Sequence, residues 1–485
     1  MDNNYFYEEI NHIYDFINNI EFNKSIHELE ILMKKDINEF KFNKLFNYFI
    51  KNNKYSKKEE SRSLDIFIKK NINNSSEFNN IRFTLNADKK NSNNSAKLFS
   101  QTGHIRDYEI NYKNKIDSLI LEDIELKLNL KEEVNLEKIN SIEKHLISDG
   151  IKKAYNNYQD FLLLDLDEHK NLYKVFRIKE RKSFIFNDLG VKAEITKVLS
   201  SKKKNNSMIY VTNIVNSGIK DNKPEFEYEI EVIDFEKFKD NLKNVVEEIY
   251  IESINFMNNT PFYCKINEKK YILDMFHDNF PIHINRVPNV KSFEIKHLNL
   301  IKNNDYSVTN KADGLGLFML KIGYYNDQYS NNVYLIDYVN RNVIRYFNCG
   351  KSLNNHTILH GEFINTEENN YNFGIIDSYL YDGVNLTEKQ LIKTSMDLDI
   401  YIQDENWANQ NLDTRLEFAN RFVAVDEDNY ESIKLSKKNI FLKKFVIPDD
   451  KFDLNIFNAN KAIINFSKNL KYENDGIIFT HSKKK

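Results

Sequence analysis

The stretch best suited to covalent chemistry is Val308–Gly316, where Lys311 stands two residues before an Asp-Gly pair. Asp and Gly favour a tight turn, which would hold the amine at the mouth of a sheet. A lysine amine becomes a nucleophile when its surroundings lower its pKa. By itself the motif is more typical of an exposed turn. Three acidic residues follow it in or beside predicted strands: Glu362, Asp377 and Asp475.

Three N-terminal segments alternate like β-strands and carry like charges on one face. Side chains alternate with period 2 along a strand, so residues i and i+2 share a face. The like-charged sets are Glu28 and Glu30, then Arg177, Lys179 and Arg181, then Glu227, Glu229 and Glu231. A single such strand usually faces water, but rows of one sign repel each other. We expect these strands to enclose a charged ligand in a barrel, with carboxylates for a divalent cation and basic groups for phosphate.

This pattern resembles the triphosphate-tunnel metalloenzymes over about residues 20–235. The resemblance implies an antiparallel β-barrel tunnel that hydrolyses the γ-phosphate of 5′-triphosphate RNA. It implies Mg²⁺ or Mn²⁺ held by Glu28, Glu30, Glu227, Glu229 and Glu231, with catalysis by Glu28, Glu30, Glu229 and Glu231. The implied phosphate ligands are Arg82, Lys113, Arg177, Lys179, Arg181 and Lys192, with Lys127 a weaker candidate.

The later motifs resemble, in order, those of the covalent nucleotidyltransferases, the superfamily of mRNA guanylyltransferases and polynucleotide ligases. The resemblance implies that Lys311 attacks the α-phosphate of GTP and passes GMP to a diphosphate RNA end. The implied nucleotide-binding residues are Lys311, Asp313, Gly314, Glu362, Asp377 and Asp475. A tunnel triphosphatase before a guanylyltransferase is the layout of giant-virus and poxvirus mRNA capping enzymes. That layout implies a methyltransferase or transcription-machinery partner, and a location in the host cytoplasm (viral factory) or the virion.

The chain departs from the nucleotidyltransferase pattern at two points. Gly316 stands where the first motif has an Arg, and no Lys-x-Lys strand follows Asp475-Gly476. We therefore expect a C-terminally incomplete domain that forms little Lys311–GMP adduct. The alternatives are an RNA or DNA ligase, a degenerate nucleotidyltransferase that serves as a scaffold, and an inorganic polyphosphatase. Labelling by GTP or by ATP separates the capping enzyme from the ligase.

The 485 residues predict an α+β chain of several domains. We assign 1–234 to the tunnel, 235–290 to a helix and linker, and 291–485 to antiparallel nucleotidyltransferase sheets with flanking helices. A net charge of −3 does not indicate general nucleic-acid binding. Two cysteines, no secretory signal and no membrane-length apolar run predict a soluble intracellular protein without a membrane partner.

Periodicity and end signals place the secondary structure. Helices are predicted at 4–20, 38–53, 135–149 and 234–252, the last with Asp234 as N-cap. Besides the strand at 26–32, strands are predicted at 61–69, 80–86, 105–113, 118–130, 171–186, 190–199, 207–215 and 225–234.

Overall fold

The computed structural model forms two compact units, Met1–Asn258 and Asn259–Lys485. It describes residues 5–52, 54–69, 81–87, 108–204, 207–258, 260–279, 301, 306–322, 332–348, 356–365, 371–392, 413–425, 440–446, 456–468 and 474–481. The loop predicted from Asp88, most of the linker after residue 279, Cys349 and the terminal lysines lie outside the described residues.

The first unit is built on a closed barrel of eight antiparallel strands, in the order β1-β10-β7-β6-β2-β3-β4-β5. Its strands are β1 (His27–Met33), β2 (Lys57–Lys69), β3 (Ile81–Asn86), β4 (Glu109–Leu121), β5 (Leu126–Asn135), β6 (Tyr173–Phe186), β7 (Val191–Ser200) and β10 (Glu225–Val232). Two short strands, β8 (Lys203–Lys204) and β9 (Ser207–Met208), pair with each other. The antiparallel barrel predicted for this part of the chain is confirmed.

Helices surround the barrel and cover its apolar outer face. They are α1 (Tyr7–Asn18), α2 (Glu39–Asn52), α3 (Asp149–Leu162), α4 (Leu166–Asn171), α5 (Phe235–Asp240), α6 (Leu242–Asn244) and α7 (Glu252–Asn258). Ile66 and Phe83 on the strands pack in one core with Ile151 and Phe161 of α3. Because the apolar residues face outward onto helices, the alternate residues of the same strands face the interior.

The helix predicted at 135–149 is wrong in position. The chain forms 3₁₀ turns at Leu136–Ser141 and Lys144–Leu146, and the α-helix begins only at Asp149. Ser148 is its N-cap, with its hydroxyl accepting a hydrogen bond from the Ile151 amide at 3.2 Å. The residues before Ser148 have helix-like apolar spacing but form only short 3₁₀ turns, because the N-cap at Ser148 fixes the start of the α-helix.

Two strand predictions also differ from the structure. The segments 105–113 and 118–130 have their break in the wrong place, since β4 continues to Leu121 and β5 begins at Leu126. The turn between them contains Glu125 at a φ of 53°. The strand predicted at 207–215 is reduced to the two residues of β9.

The Asp234 N-cap is confirmed, because its side chain accepts a hydrogen bond from the Lys237 amide at 3.3 Å. The helix that follows is not one α-helix, since it passes through a π-helix at Val245–Ile251. The Tyr48 hydroxyl donates to the Glu248 carbonyl at 3.0 Å, and the Tyr228 hydroxyl donates to the Ile249 carbonyl at 3.4 Å. Hydroxyls from other elements thus satisfy carbonyls within the widened turn.

The second unit contains a seven-stranded sheet and a two-stranded sheet. The large sheet has the order β14-β13-β12-β15-β16-β17, with β18 parallel to β16. Its strands are β12 (Leu315–Lys321), β13 (Asn332–Asp337), β14 (Asn342–Asn348), β15 (Thr357–Asn365), β16 (Tyr371–Tyr381), β17 (Val384–Asn385) and β18 (Ile440–Leu442). The small sheet pairs β11 (Tyr306–Ala312) with β19 (Asn474–His481).

The helices of the second unit are α8 (Ile266–Asn279), α9 (Arg415–Val425) and α10 (Ile456–Ser467). Leu416 and Phe422 of α9 are buried with Phe373 and Ile375 of β16. No helix among the described residues of either unit is long and apolar enough to cross a membrane.

Candidate functional site

The barrel encloses a cavity of about 1030 Å³ whose walls are mainly charged side chains. The predicted tunnel residues that line it are Glu28, Glu30, Arg82, Lys113, Arg177, Lys179, Arg181, Glu227, Glu229 and Glu231. Lys192 joins them through an ion pair of 2.9 Å with Glu231. The structure therefore brings the predicted acidic and basic strands together in one interior.

The acidic strand β1 meets a cluster of lysines. Lys113 forms ion pairs with Glu28 and Glu30, and its ammonium lies 2.7 Å from Glu133. Lys131 forms a second ion pair with Glu30. Burial raises the pKa of Glu30, but Lys113 and Lys131 outweigh it and hold that pKa below its usual value. The acidic side chains of β1 are thus bound by the ammonium groups of Lys113 and Lys131.

Glu28 and Glu133 share the same lysine unequally. Burial, with repulsion from Glu30 and Glu133, raises the pKa of Glu28 to about 9. Burial also disfavours the charge on Glu133, but Lys113 and a hydrogen bond from Glu28 lower its pKa to about 2. Glu28 therefore holds a proton more tightly than Glu133, although both are beside Lys113.

A second network joins β6, β7 and β10. Arg181 lies 2.8 Å from Glu194 and 3.3 Å from Glu229. Lys192 lies 2.9 Å from Glu194. Burial and repulsion from Glu30 raise the pKa of Glu229 to about 7, with Arg181 opposing the shift. Glu229 is therefore a second carboxyl whose charge the surrounding cations leave only partly balanced.

The third set of ion pairs lies along β2, β6 and β10. Arg177 is 2.7 Å from Glu227, and Lys179 is 2.8 Å from Asp65. Asp65 is almost fully buried and also accepts a hydrogen bond from Thr84 at 3.0 Å. Burial opposes the charge on Asp65, but Lys179 and Arg82 lower its pKa.

Two guanidinium N–H groups in this interior have no hydrogen-bond partner among the described residues. They are the buried Nε atoms of Arg82 and Arg177. Each arginine also makes one ion pair, Arg82 with Glu133 at 2.7 Å. A buried donor without an acceptor costs about 1–3 kcal/mol. An anionic ligand with several oxygens, such as a polyphosphate, would satisfy both groups.

The carboxylates also fit a divalent metal by their chemistry. In the described part of the chain, no three His, Cys, Asp or Glu side chains form a ready coordination group. Burial raises the pKa values of Glu28 and Glu229, and Lys113 and Arg181 offset the shift only in part. All-oxygen donors suit Mg²⁺ or Mn²⁺. All five predicted metal ligands are ion-paired with basic residues in this structure: Glu28 and Glu30 with Lys113, Glu229 with Arg181, Glu227 with Arg177 and Glu231 with Lys192. A cation would most favour the charged forms of Glu28 and Glu229, because their pKa values are the raised ones.

Sequence reasoning missed four residues of the interior, namely Asp65, Lys131, Glu133 and Glu194. For Glu194 a signal existed, since it stands two residues after Lys192 and so shares its face. Lys131 and Glu133 flank Glu132, whose side chain lies on the opposite face of β5. Because three consecutive residues are charged, the period-2 alternation of the strand cannot be recognised from the sequence. Asp65 lies in an otherwise apolar run and carries no such signal. Lys127 does not line the cavity.

In the second unit, the predicted nucleotide-binding residues are divided between the two-stranded sheet and the seven-stranded sheet. Lys311 is near the end of β11, opposite Gly476 of β19. Asp313 and Gly314 form the exposed link to β12, and a Cβ on Gly314 would lie 3.3 Å from the Cβ of Glu362. Asp475 is in β19, and its side chain lies outside the described residues.

Two of these predicted residues are already engaged by basic side chains. Asp377 forms a buried two-point ion pair with Arg415 of α9, at 2.9 and 3.2 Å. Glu362 forms an ion pair with the fully buried Lys443, which directly follows β18. The nucleotide-binding roles of both acids stay predictions.

No protein-family model and no curated protein matches the chain. Among solved structures, the RNA triphosphatase domain of a trifunctional mimivirus mRNA capping enzyme is 18% identical, with a TM-score of 0.31. That match covers 52% of this chain and 98% of the domain. The RNA triphosphatase of S. pombe is 10% identical over 57% of this chain and 90% of its own, with a TM-score of 0.27. At these TM-scores the likeness has no weight for function, which depends on the residues of the barrel.

Proposed function

We propose that the barrel is a metal-dependent RNA triphosphatase that removes the γ-phosphate from 5′-triphosphate RNA. The observation that carries this proposal is the cavity itself. It combines a row of basic groups with buried carboxyls whose pKa values burial raises despite their basic partners, namely Glu28 and Glu229. A polyphosphate would bind the basic side chains, and a divalent cation would bind the carboxyls.

The basic residues would bind and neutralise the triphosphate. Arg82 and Arg177 each have an Nε–H available for a phosphate oxygen, and Lys179 and Arg181 lie on the same strand face as Arg177. Charge that is fixed before the reaction stabilises a phosphoryl group more than solvent does, because nothing needs to reorient. These side chains therefore hold the γ-phosphate and the leaving diphosphate in place.

In the reaction a water oxygen bonds to the γ-phosphorus, and the oxygen bridging the β- and γ-phosphates leaves with the diphosphate RNA. A bound divalent metal would supply further charge neutralisation at the phosphate oxygens. Glu28, Glu30 and Glu229 are the residues that would hold it. A carboxylate of the same wall would take the proton that the attacking water loses, and the products are inorganic phosphate and a diphosphate end.

Replacing Glu28 or Glu229 by Gln tests the proposal. Each variant should lose at least a hundredfold in metal-dependent phosphate release from 5′-triphosphate RNA, on the order of the loss for one preorganised charged group. Glu180→Gln is the matched control, because Glu180 is on β6 with a half-exposed side chain. Chelation of divalent metal should abolish the wild-type activity. Wild-type rates in both cavity variants would show that the cavity is not the catalytic site.

An inorganic polyphosphatase is the nearest alternative for the same cavity. It would release phosphate from tripolyphosphate and leave triphosphate RNA intact. A direct comparison of the two substrates with the wild-type chain separates these activities.

A second candidate function belongs to the second unit, namely nucleotidyl transfer at Lys311. It is favoured by the placement of Lys311 opposite Gly476 and of Gly314 beside Glu362. The Lys311 amine would bond to the α-phosphorus of GTP, and pyrophosphate would leave. Incubation with labelled GTP or ATP followed by denaturing electrophoresis tests this, with Lys311→Arg as the control. Labelling by ATP alone would indicate a ligase, and no labelling at all would indicate a scaffold.

A further inference from the structure

One end of the barrel cavity differs in character from its centre. Interior side chains alternate along each strand, so Leu32 follows Glu28 and Glu30 on β1, and Phe67 follows Asp65 on β2. Both Leu32 and Phe67 line the cavity. The interior therefore changes from charged to apolar towards the C-terminal ends of these two strands.

These two strand ends lie at the same end of the barrel. Four antiparallel pairings connect β1 to β2 through β10, β7 and β6, so β1 and β2 run in the same direction. By the same count β4 also runs with β1, which places Lys115 beyond Lys113 towards this end. This end of the cavity, called the apolar end below, has the apolar side chains of Leu32 and Phe67 beside the charged side chains of Lys115, Arg177 and Glu227.

The side chains of Leu32 and Phe67 offer a triphosphate no hydrogen-bond donor. Phosphate oxygens bind to N–H donors, and the centre of the cavity supplies these. Phe67 is only partly buried, so the ring retains accessible surface inside the cavity. Aromatic rings bind nucleobases by stacking, and this contact tolerates any base. Lys115 is exposed and lines the same end, where it could contact a phosphodiester.

We propose that the apolar end binds the first nucleoside of the RNA, with Phe67 against its base and Lys115 beside the phosphodiester that follows. This inference rests on the proposed triphosphatase function and adds the orientation of the substrate. The triphosphate then extends from Arg177 towards Arg181 and Glu229, and the γ-phosphate lies farthest from the nucleoside. The site discriminates a nucleotide-bearing triphosphate from inorganic tripolyphosphate.

The test compares the full-length wild type and variants on three substrates: inorganic tripolyphosphate, ATP and a 5′-triphosphate RNA. Phe67→Leu keeps an apolar side chain but removes the aromatic face. It should raise KM for ATP and for RNA roughly five- to hundredfold, the range for loss of one base stack. The KM for tripolyphosphate should not change, and Phe67→Trp should restore the nucleotide KM values. Phe40→Leu, an exposed aromatic of α2 at 66% exposure, is the matched control.

Lys115→Gln gives a second, independent reading if Phe67→Leu does not fold. It should raise KM roughly fivefold for RNA, as expected for one phosphate contact, and leave ATP unaffected because ATP has no following phosphodiester. Equal losses on all three substrates, or no change on any, would overturn the inference. If the wild type cleaves tripolyphosphate but neither ATP nor RNA, the proposed function itself fails. The two failures are therefore distinguishable.

Discussion

The two units of this chain differ in where they place buried charge. In the barrel, ion-paired acidic and basic side chains such as Glu28 with Lys113 and Glu229 with Arg181 face a cavity. In the second unit, Asp377 with Arg415 and Glu362 with Lys443 form buried pairs on packed sheet elements. Burial raises the pKa of Asp377 as it does those of Glu28 and Glu229, so the difference lies in access to a cavity.

The second unit also links neutral and charged polar groups into a chain of hydrogen bonds. The Tyr334 hydroxyl donates to Glu268 at 2.6 Å and accepts from Asn332 at 3.1 Å. Arg345 donates to Asn332 at 3.1 Å. Such a network fixes a core, because every member depends on the next. The barrel thus presents its charged side chains to a cavity, while these sheets are held by their own polar contacts.

Breaking the Asp377–Arg415 pair should give the largest effect in the second unit. Arg415→Ala leaves a buried carboxylate without its cation, and we expect a loss of about 3–5 kcal/mol in the free energy of unfolding. Urea unfolding followed by circular dichroism measures it. Lys461→Ala, exposed on α10, should change the free energy by less than about 0.5 kcal/mol.

The double variant Asp377→Leu with Arg415→Met completes the test of this pair. It removes both charges and should recover most of the lost stability, because two apolar side chains replace a paired charge at little net cost. If Arg415→Ala unfolds at the wild-type urea concentration, Asp377 is not held as a structural pair and the contrast between the two units weakens.

In the barrel, removing the basic side chain of Arg181 should lower the rate of phosphate release. Arg181 connects Glu194 with Glu229, and Arg181→Ala should lower phosphate release from triphosphate RNA by about 10²–10³-fold. Arg181→Lys keeps the charge but not the two-point geometry, so it should fall between the wild type and Arg181→Ala. Arg62→Ala is the control, since Arg62 is on β2 with a largely exposed side chain. Full activity in Arg181→Ala would place the reaction outside the barrel.

The charged faces of the barrel strands could be read from the sequence and predicted a barrel, but the order in which the strands pair could not be read. Period-2 alternation located the interior faces of β1, β6 and β10, because each strand has one face in the cavity and one in a core. The ends of the strands and the pairing of β1 with both β5 and β10 depend on contacts far apart in the chain. No local pattern specifies these contacts.

The site was predictable wherever charge and period agreed. Glu28, Arg181 and Glu229 followed directly from alternation, while Asp65 stood alone in the apolar run 64–68 of β2 and was missed. The π-helix at Val245–Ile251 was also out of reach, because the Tyr48 hydroxyl that satisfies one of its carbonyls comes from α2. In both cases the determining partner is distant in sequence.

Lys174 of the first unit is buried and satisfied by polar contacts of the protein itself, as the buried charges of the second unit are. Its burial should make the free energy of unfolding depend on pH. Lys174 is fully buried, and its ammonium donates to the carbonyls of His169, Leu172 and Thr212 at 2.8–3.2 Å. Burial lowers its pKa to about 8 from 10.5. Between these values the unfolded state binds a proton that the folded state lacks, so folding stability rises with pH.

Lys174→Met should remove this rise. Across pH 8 to 10.5, the wild-type free energy of unfolding should increase relative to that of the variant by about 1–3 kcal/mol. Urea unfolding at several pH values measures the difference, with Lys153→Met on the exposed side of α3 as the control. A difference that falls with rising pH would show that Lys174 gains a charged partner in the folded state.

The smallest effect on stability should come from adding a cation at Gly316, which pairs with Glu362 across β12 and β15. A Cβ on Gly316 would have no atom within 4 Å, so Gly316→Arg should change the free energy of unfolding by less than about 0.5 kcal/mol. Gly361→Ala is the contrasting variant, because its Cβ would clash with the Gly374 carbonyl and Phe373 ring, and it should destabilise by about 1–3 kcal/mol. If the second unit carries out nucleotidyl transfer, Gly316→Arg should also increase GTP labelling at Lys311, since an Arg there would restore the guanidinium of the motif. If Gly316→Arg folds normally and labelling does not change, the result would count against nucleotidyl transfer at Lys311. It would favour a structural role for the second unit.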